Sequence, residues 1–181
     1  LTDEDAYIYA ISDQYLQKVR KEYDAYQKLG IPSEFTENIP LPIDVKGAIV
    51  MKDQAQFHPI KFLEALVNEI TKAGGEIYEQ TTAVNIDQTT PKPMVITREG
   101  RRVTCKYAIS CSHFPFFDGK GFYFTRLHAE RSYVLGVRTK YEFPGGMYYS
   151  ADSPRRSLRY TPFNGEKLIL ISGDGHKTGE G

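Results

Sequence analysis

The residues best suited to chemistry gather in the last third of this chain. Residues 168–181 read LILISGDGHKTGEG, four apolar side chains followed by a glycine-rich run. An apolar strand that enters such a run can bring backbone N–H groups against a ligand, because glycine leaves no side chain in the way. The run is not a nucleoside-triphosphate loop. Lys177-Thr178 follows His176 rather than a glycine, and the glycines do not take the GxGxxG spacing. Residues 173–179 are therefore expected to form a ligand-facing loop, with a flexible tail as the alternative.

Three arginines stand close by, Arg155, Arg156 and Arg159, in SPRRSLRY. An arginine projecting from a strand suits a carboxylate, since its planar fork is permanently charged and binds two oxygens at once. A solvated, charge-rich hairpin would use the same residues. Four histidines, at 58, 113, 128 and 176, show no i, i+4 pair, so no metal site is expected. His58 suits a helix cap. His113 and His176 each follow an apolar strand, the place where open sheets put ligands, and a plain loop histidine is the other reading. Cys105 and Cys111 lack a zinc or redox spacing and are expected as buried, reduced thiols, which fits a cytoplasmic location. No Ser-His-Asp set or paired-carboxylate pattern stands out.

These groups need elements to hold them. Residues 2–30 are expected as one long helix, capped by Thr2, with Asp3, Glu4 and Asp5 at its positive end. Ile8, Ile11, Tyr15, Val19, Tyr23 and Tyr26 would form its stripe, and Gly30 would stop it. A proline-punctuated connector leads to a strand at 48–51. HPIKFLEALVNEITKAGG reads as a second helix, started by His58-Pro59, ended by Gly74-Gly75 and buried along Ile60, Leu63, Leu66, Val67 and Ile70. Strands are expected at 76–79, 83–87, 94–97, 102–105, 107–110, 131–139, 147–150, 158–160 and 168–171. The sum is two main helices with about ten strands, an α+β chain.

Composition narrows the function. Lys+Arg and Asp+Glu are both 23, so the chain has no basic surplus with which to bind nucleic acid generally. No apolar run reaches the roughly 18–20 residues that cross a bilayer, and no membrane partner is expected. At 181 residues the chain can bury a core, and its 13 Tyr and 10 Phe are expected mainly to pack it. There is no internal repeat.

Taken in order, the segments resemble a known family. HPIKFLEALVNEITKAGGEIYEQTTAVNID followed by VITREGRRVTCKYAISCSHFPFFD is similar to the middle of FAD-dependent oxidoreductases of the D-amino-acid-oxidase and glycine-oxidase type. The ending His113-Phe114-Pro115-Phe116, with SPRRSLRY and SGDGHKTG, resembles a bacterial branch with a Rieske iron–sulfur domain after the flavin domain. The resemblance covers about residue 5 to the end. It implies a substrate-side domain built on a mixed or antiparallel sheet, at about 1–51 and 112–167. It implies that about 52–111 and 168–181 belong to the FAD-binding domain, with strands near 76–79, 107–111 and 168–172 in its sheet. The family's GxGxxG βαβ unit and the two Cys-x-His pairs of a Rieske centre are not in this sequence, so the chain is expected to be an internal fragment.

By the same resemblance, the backbone of Val84 would meet the adenine of FAD. Ser110, Cys111 and Ser112 would lie near its phosphates and ribose, in place of the family's Ala-Thr-Gly. Gly173, Gly175 and His176 would lie by the isoalloxazine. Arg159, with Tyr149 beside it, would take the substrate's carboxylate. The implied reaction is flavin-mediated hydride abstraction from an amine, amino acid or related small substrate, and the implied cofactors are FAD and a [2Fe-2S] cluster in a further C-terminal domain. The fragment alone is expected to be inactive and to bind FAD weakly or not at all. Two rivals accompany this reading. One is a non-catalytic module binding a small acid or a protein through Phe122, Tyr123, Phe124, Tyr148, Tyr149 and the arginines. The other is an aromatic-ring flavin hydroxylase, which Gly173-Asp174-Gly175 echoes.

Overall fold

The computed structural model describes residues 1–118 and 121–179. The chain divides into two compact units, Leu1–Leu63 with Glu130–Gly181, and Glu64–Ala129. In the first unit, β1 (Thr2–Ala10), α1 (Asp13–Leu29), β2 (Glu34–Thr36) and β3 (Gly47–Gln56) come from the start of the chain. β7 (Glu130–Val137), β8 (Met147–Ser150), β9 (Arg156–Phe163) and β10 (Glu166–Lys177) come from its end. They make one seven-stranded sheet in the order β2-β3-β1-β8-β9-β10-β7, mixed because β1 and β8 run parallel.

The expected helix over residues 2–30 is corrected here: its first third is β1. Ala6-Tyr7-Ile8-Tyr9-Ala10 alternates small or aliphatic with aromatic side chains, and aromatic and β-branched residues favour a pleated surface. β3 supplies an antiparallel ladder on one edge, with Ile8 opposite Ile49, and β8 a parallel one on the other, with Tyr7 opposite Tyr148. The helix starts only after Ser12, whose backbone is still extended. The remaining stripe behaves as expected. Val19 is buried with Ala10 and Ile49, and Tyr15, Tyr23, Tyr26 and Phe35 close the cluster. Gly30, at φ 67°, ends α1 in the left-handed conformation, and the N–H of Ile31 reaches back to the carbonyl of Tyr26.

α2 (Pro59–Lys72) has the expected bounds, and the Nδ1 of His58 accepts the N–H of Lys61 at 3.4 Å as a loose cap. Its stripe is not buried. Ile60, Leu63, Leu66, Val67 and Ile70 are each 43–58% exposed.

The second unit carries a three-stranded antiparallel sheet, β4 (Ala83–Asp87), β5 (Met94–Thr97) and β6 (Arg102–Thr104), in that order. Residues 76–79 and 107–111 form no strand. A strand exists by pairing its backbone, and no described segment pairs with either. Tyr107 and Ile109 are each 85% exposed. Cys111 is exposed for the same reason, against expectation, while Cys105 is partly buried; both thiols are free.

Candidate functional site

β10 settles the form of the glycine-rich run. Residues 173–177 continue the strand and pair with β7, Gly173 opposite Tyr133 and His176 opposite Arg131. The expected loop is thus a strand with an irregularity between Gly173 and His176, where Asp174 takes φ 60°. The apolar run 168–172 lies in the seven-stranded sheet between β9 and β7. Two features of the run are dictated by its neighbours. A Cβ on Gly173 would stand 2.5 Å from the carbonyl oxygen of Arg155, so the close approach of β9 requires glycine. The Nδ1 of His176 lies 2.8 Å from the carbonyl oxygen of Asp174. A carbonyl only accepts, so Nδ1 carries the proton, and in the neutral ring Nε2 is then the acceptor. The Tyr133 ring packs on the imidazole at 5.4 Å.

Arg156 is engaged locally, donating to the carbonyl of Arg155 and pairing with Asp174 at 3.4 Å. Arg159 differs. It is half-buried on β9 and has no carboxylate partner among the described residues. It lines a cavity of about 320 Å³ with Gln56, Phe57, His58, Lys61 and Leu170. Gln56 is buried at 7% exposure. The set combines a guanidinium, an ammonium and an amide with apolar walls, which suits a small acid. Tyr149 sits opposite Ser157, two residues from Arg159 along β9, so the two expected substrate residues share one face of the sheet. They also line a second, shallower hollow together.

In the second unit, Ser110 and Ser112 face each other, Oγ to Oγ, at 3.1 Å, and line a cavity of about 400 Å³ with Ile86, Pro93, Phe117 and Tyr123. Cys111 between them is not among its walls. Val84 lies on the edge strand β4 at an irregularity: Ala83 is opposite Thr97 and Asn85 opposite Ile96, so the ladder skips Val84. A bulge on a sheet edge leaves backbone polar groups for a ligand.

The aromatic residues of the binding-module reading are divided between the two units. Phe122, Tyr123 and Phe124 belong to a short 3-10 turn of the second unit (Tyr123–Arg126 with its cap). Tyr148 and Tyr149 alternate, and Tyr148 is 2% exposed, stacked on Tyr7 with ring centres 4.9 Å apart. Phe143 closes over Tyr148 edge-on.

Sequence reasoning missed Asp152. It is 8% exposed, and its two oxygens accept the N–H of Ile11 at 2.8 Å and the hydroxyl of Ser12 at 2.6 Å. It thereby joins the end of β8 to the start of α1, where a negative charge also meets the positive helix end. It sits 141 positions from Ile11, so no local pattern announces it. Tyr9 registers the same charge: burial first, then Asp152, raises its hydroxyl above the ordinary tyrosine value. Among the described residues no group of His, Cys, Asp or Glu is arranged to hold a metal, and no helix is long and apolar enough to cross a membrane.

Comparison with known proteins gives this geometry a family. The chain is 48% identical over 179 residues to the "Putative Rieske 2Fe-2S iron-sulfur protein YhfW" of Bacillus subtilis (strain 168), covering 99% of this chain and 35% of that protein. Its fold matches the crystal structure of glycine oxidase from Geobacillus kaustophilus with a TM-score of 0.72 at 16% identity, over 98% of this chain and 49% of that one. The chain thus spans about a third of the curated relative and about half of the solved structure. The profile of the FAD dependent oxidoreductase family (DAO) matches residues 3–180, and the chain belongs to that family.

Proposed function

We propose that this chain supplies the substrate-facing sheet and part of the cofactor contacts of a flavin-dependent oxidoreductase acting on a small amine that bears a carboxylate. The observation that carries the reading is Arg159, a half-buried guanidinium with no anionic partner among the described residues, in a cavity that also holds Lys61 and Gln56. A charge held out of water without a partner is unfavourable, and a substrate carboxylate would complete it. Tyr149 flanks the same face and would order the bound acid.

The residues of the second unit fit parts of FAD. The skipped backbone of Val84 offers an amide and a carbonyl to the adenine edge, and the Ser110–Ser112 hydroxyl pair offers donors to ribose or phosphate. His176 would present Nε2, and Gly175 its bare backbone, to the flavin ring, whereas the open side of Gly173 is taken up by Arg155. FAD, when bound, would supply the oxidising chemistry, hydride abstraction at the carbon beside the amine. This chain's residues would hold the carboxylate, set that carbon's orientation and, at Nε2 of His176, accept a hydrogen bond. No phosphate-cradling GxGxxG is present, so FAD affinity of these residues alone would be weak. A Rieske centre, as in the relative's name, would lie outside this chain.

The test uses the full-length protein loaded with FAD. Under anaerobic conditions it is mixed with amino acids, N-methyl amino acids and their decarboxylated amines, and flavin bleaching is followed. Bleaching by the acids and not by the matching amines is expected. Equal bleaching by both would refute a carboxylate clamp at Arg159.

A further inference from the structure

Another cavity of about 300 Å³ opens elsewhere in the seven-stranded unit, and its charge is the opposite of that around Arg159. It is lined by Asp3, Glu4, Asp5 and Asp53, with Tyr7 and Tyr148, and no lysine or arginine is among its walls. Two of the four carboxylates are used by the fold. Glu4 accepts the N–H of Gly146, and hydrogen bonding to Glu4 raises the hydroxyl of Tyr160. Asp5 accepts the N–H of Asp53 at 3.2 Å and the hydroxyl of Tyr7 at 3.5 Å. Asp3 and Asp53 have no cationic partner among the described residues. Lys52, whose field reaches Asp5 and Tyr7, gives its ammonium to Glu34 at 2.8 Å.

An acidic cluster alone would be an ordinary solvated surface. Tyr148 makes this one different. Tyr148 is only 2% exposed, yet its hydroxyl has no hydrogen-bond partner among the described residues. The hydroxyl ends at the Gly146–Glu4 corner of the cavity, 2.8 Å from where a Cβ on Gly146 would stand. Buried hydroxyls are almost always partnered, so an orphan one calls for a missing group. The surroundings define that group. It must be positive, because the walls are anionic. It must donate hydrogen bonds, because four carboxylates and a phenol oxygen all accept. It is not a metal ion, because the carboxylates do not form a metal-holding set.

We propose that this cavity binds a primary ammonium. The head is compact, carries three donors and matches convergent oxygens without a fixed plane. An alkyl stem would lie along the stacked Tyr7 ring and the rim prolines Pro40 and Pro144. The ammonium belongs either to a free small amine or to a lysine elsewhere in the complete protein, and the site's chemistry is the same for both. The inference stands on the first unit alone and does not depend on the flavin reading.

The full-length protein is titrated calorimetrically with spermidine and with butylammonium, and with butyrate as the charge-reversed control. Saturable binding of the amines only is expected. It should weaken ~tenfold or more in the Asp3→Asn/Asp53→Asn pair and in Tyr148→Phe, and should fall with added salt. These changes are isosteric or remove one oxygen, and circular dichroism melts confirm that the variants fold. If no free amine binds, carbodiimide coupling with peptide mapping is run on the same protein. A zero-length link from Asp3 or Asp53 to a lysine identifies a side chain as the occupant. Absence of both binding and link overturns the proposal, as does amine binding unchanged in the variants.

Discussion

Replacing Asp152 tests how the sheet and the first helix are joined. In Asp152→Ala both accepting oxygens disappear, from a site 8% exposed. Hydrogen bonds to a charged group are worth about 1.5–3 kcal/mol each, but Ile11 is itself 52% exposed, so water partly replaces the carboxylate at its N–H. The expected loss is about 2–4 kcal/mol. Asp152→Asn separates charge from geometry. The amide oxygen can still accept from Ile11, and its NH2 can donate to Ser12, whose hydroxyl turns to accept. What remains lost is the charge at the helix start, about 0.5–2 kcal/mol. Urea unfolding of the full-length protein, followed by circular dichroism, reads both values, and Ser12→Ala completes a double-mutant cycle with expected coupling of about 1 kcal/mol. Asp152→Asn should also lower the pKa of Tyr9, read by tyrosinate absorbance, since Asp152 is one cause of its rise. A loss under ~0.5 kcal/mol in Asp152→Ala, or equal losses in both variants, would show that these two bonds do not pin the junction.

Three further outcomes are expected. Arg159→Lys keeps the charge but not the fork, and should raise KM for the substrate acid ~10- to 100-fold with a smaller change in kcat; steady-state kinetics decide it. Tyr148 holds its proton more tightly when folded, through burial first and then the negative field of Tyr7, Glu4 and Asp5. Above the ordinary tyrosine value of 10.0 the unfolded chain therefore binds fewer protons, so stability is full below that pH and falls as pH rises past it; Tyr148→Phe should flatten that fall in denaturation midpoints measured from pH 8 to 11. The 181-residue chain alone should bind a hydrophobic dye through the open row on α2, and Leu63→Ser with Leu66→Ser should reduce the fluorescence. No dye binding would mean that the row is covered within this chain.

What the sequence revealed depended on how far away each residue's partner lies. α2 was legible to within a residue or two because His58, Pro59 and Gly74 are local signals. β1 was not. Ile8, Ile11 and Tyr15 imitate a helical stripe, and what makes residues 2–10 a strand is an edge on each side supplied by β3 and by the distant β8. The glycine-rich run reads as a loop by composition, yet β7 holds it in a ladder. Residues 76–79 and 107–111 have strand-like side chains, and no described segment pairs with them. In the candidate site, arginine, glycine and serine were visible by type. Asp152, Gln56 and the Tyr148 cavity were invisible, because each owes its role to burial and to neighbours brought in by the fold.

The parallel seam between β1 and β8 also sets an order of events. The first compact unit is written in two pieces, with the whole of Glu64–Ala129 between them. During synthesis β1, β2, β3 and α1 can pair as soon as they emerge, since their contacts are near in sequence. The other edge of β1 must wait until residues 147–150 leave the ribosome, at 5–20 residues per second roughly seven seconds or more later. Through that interval Tyr7 and Tyr9 line an unpaired edge, the kind of surface that recruits chaperones or foreign strands. Slowing translation before residue 147 should therefore lower the yield of folded protein more than slowing it afterwards.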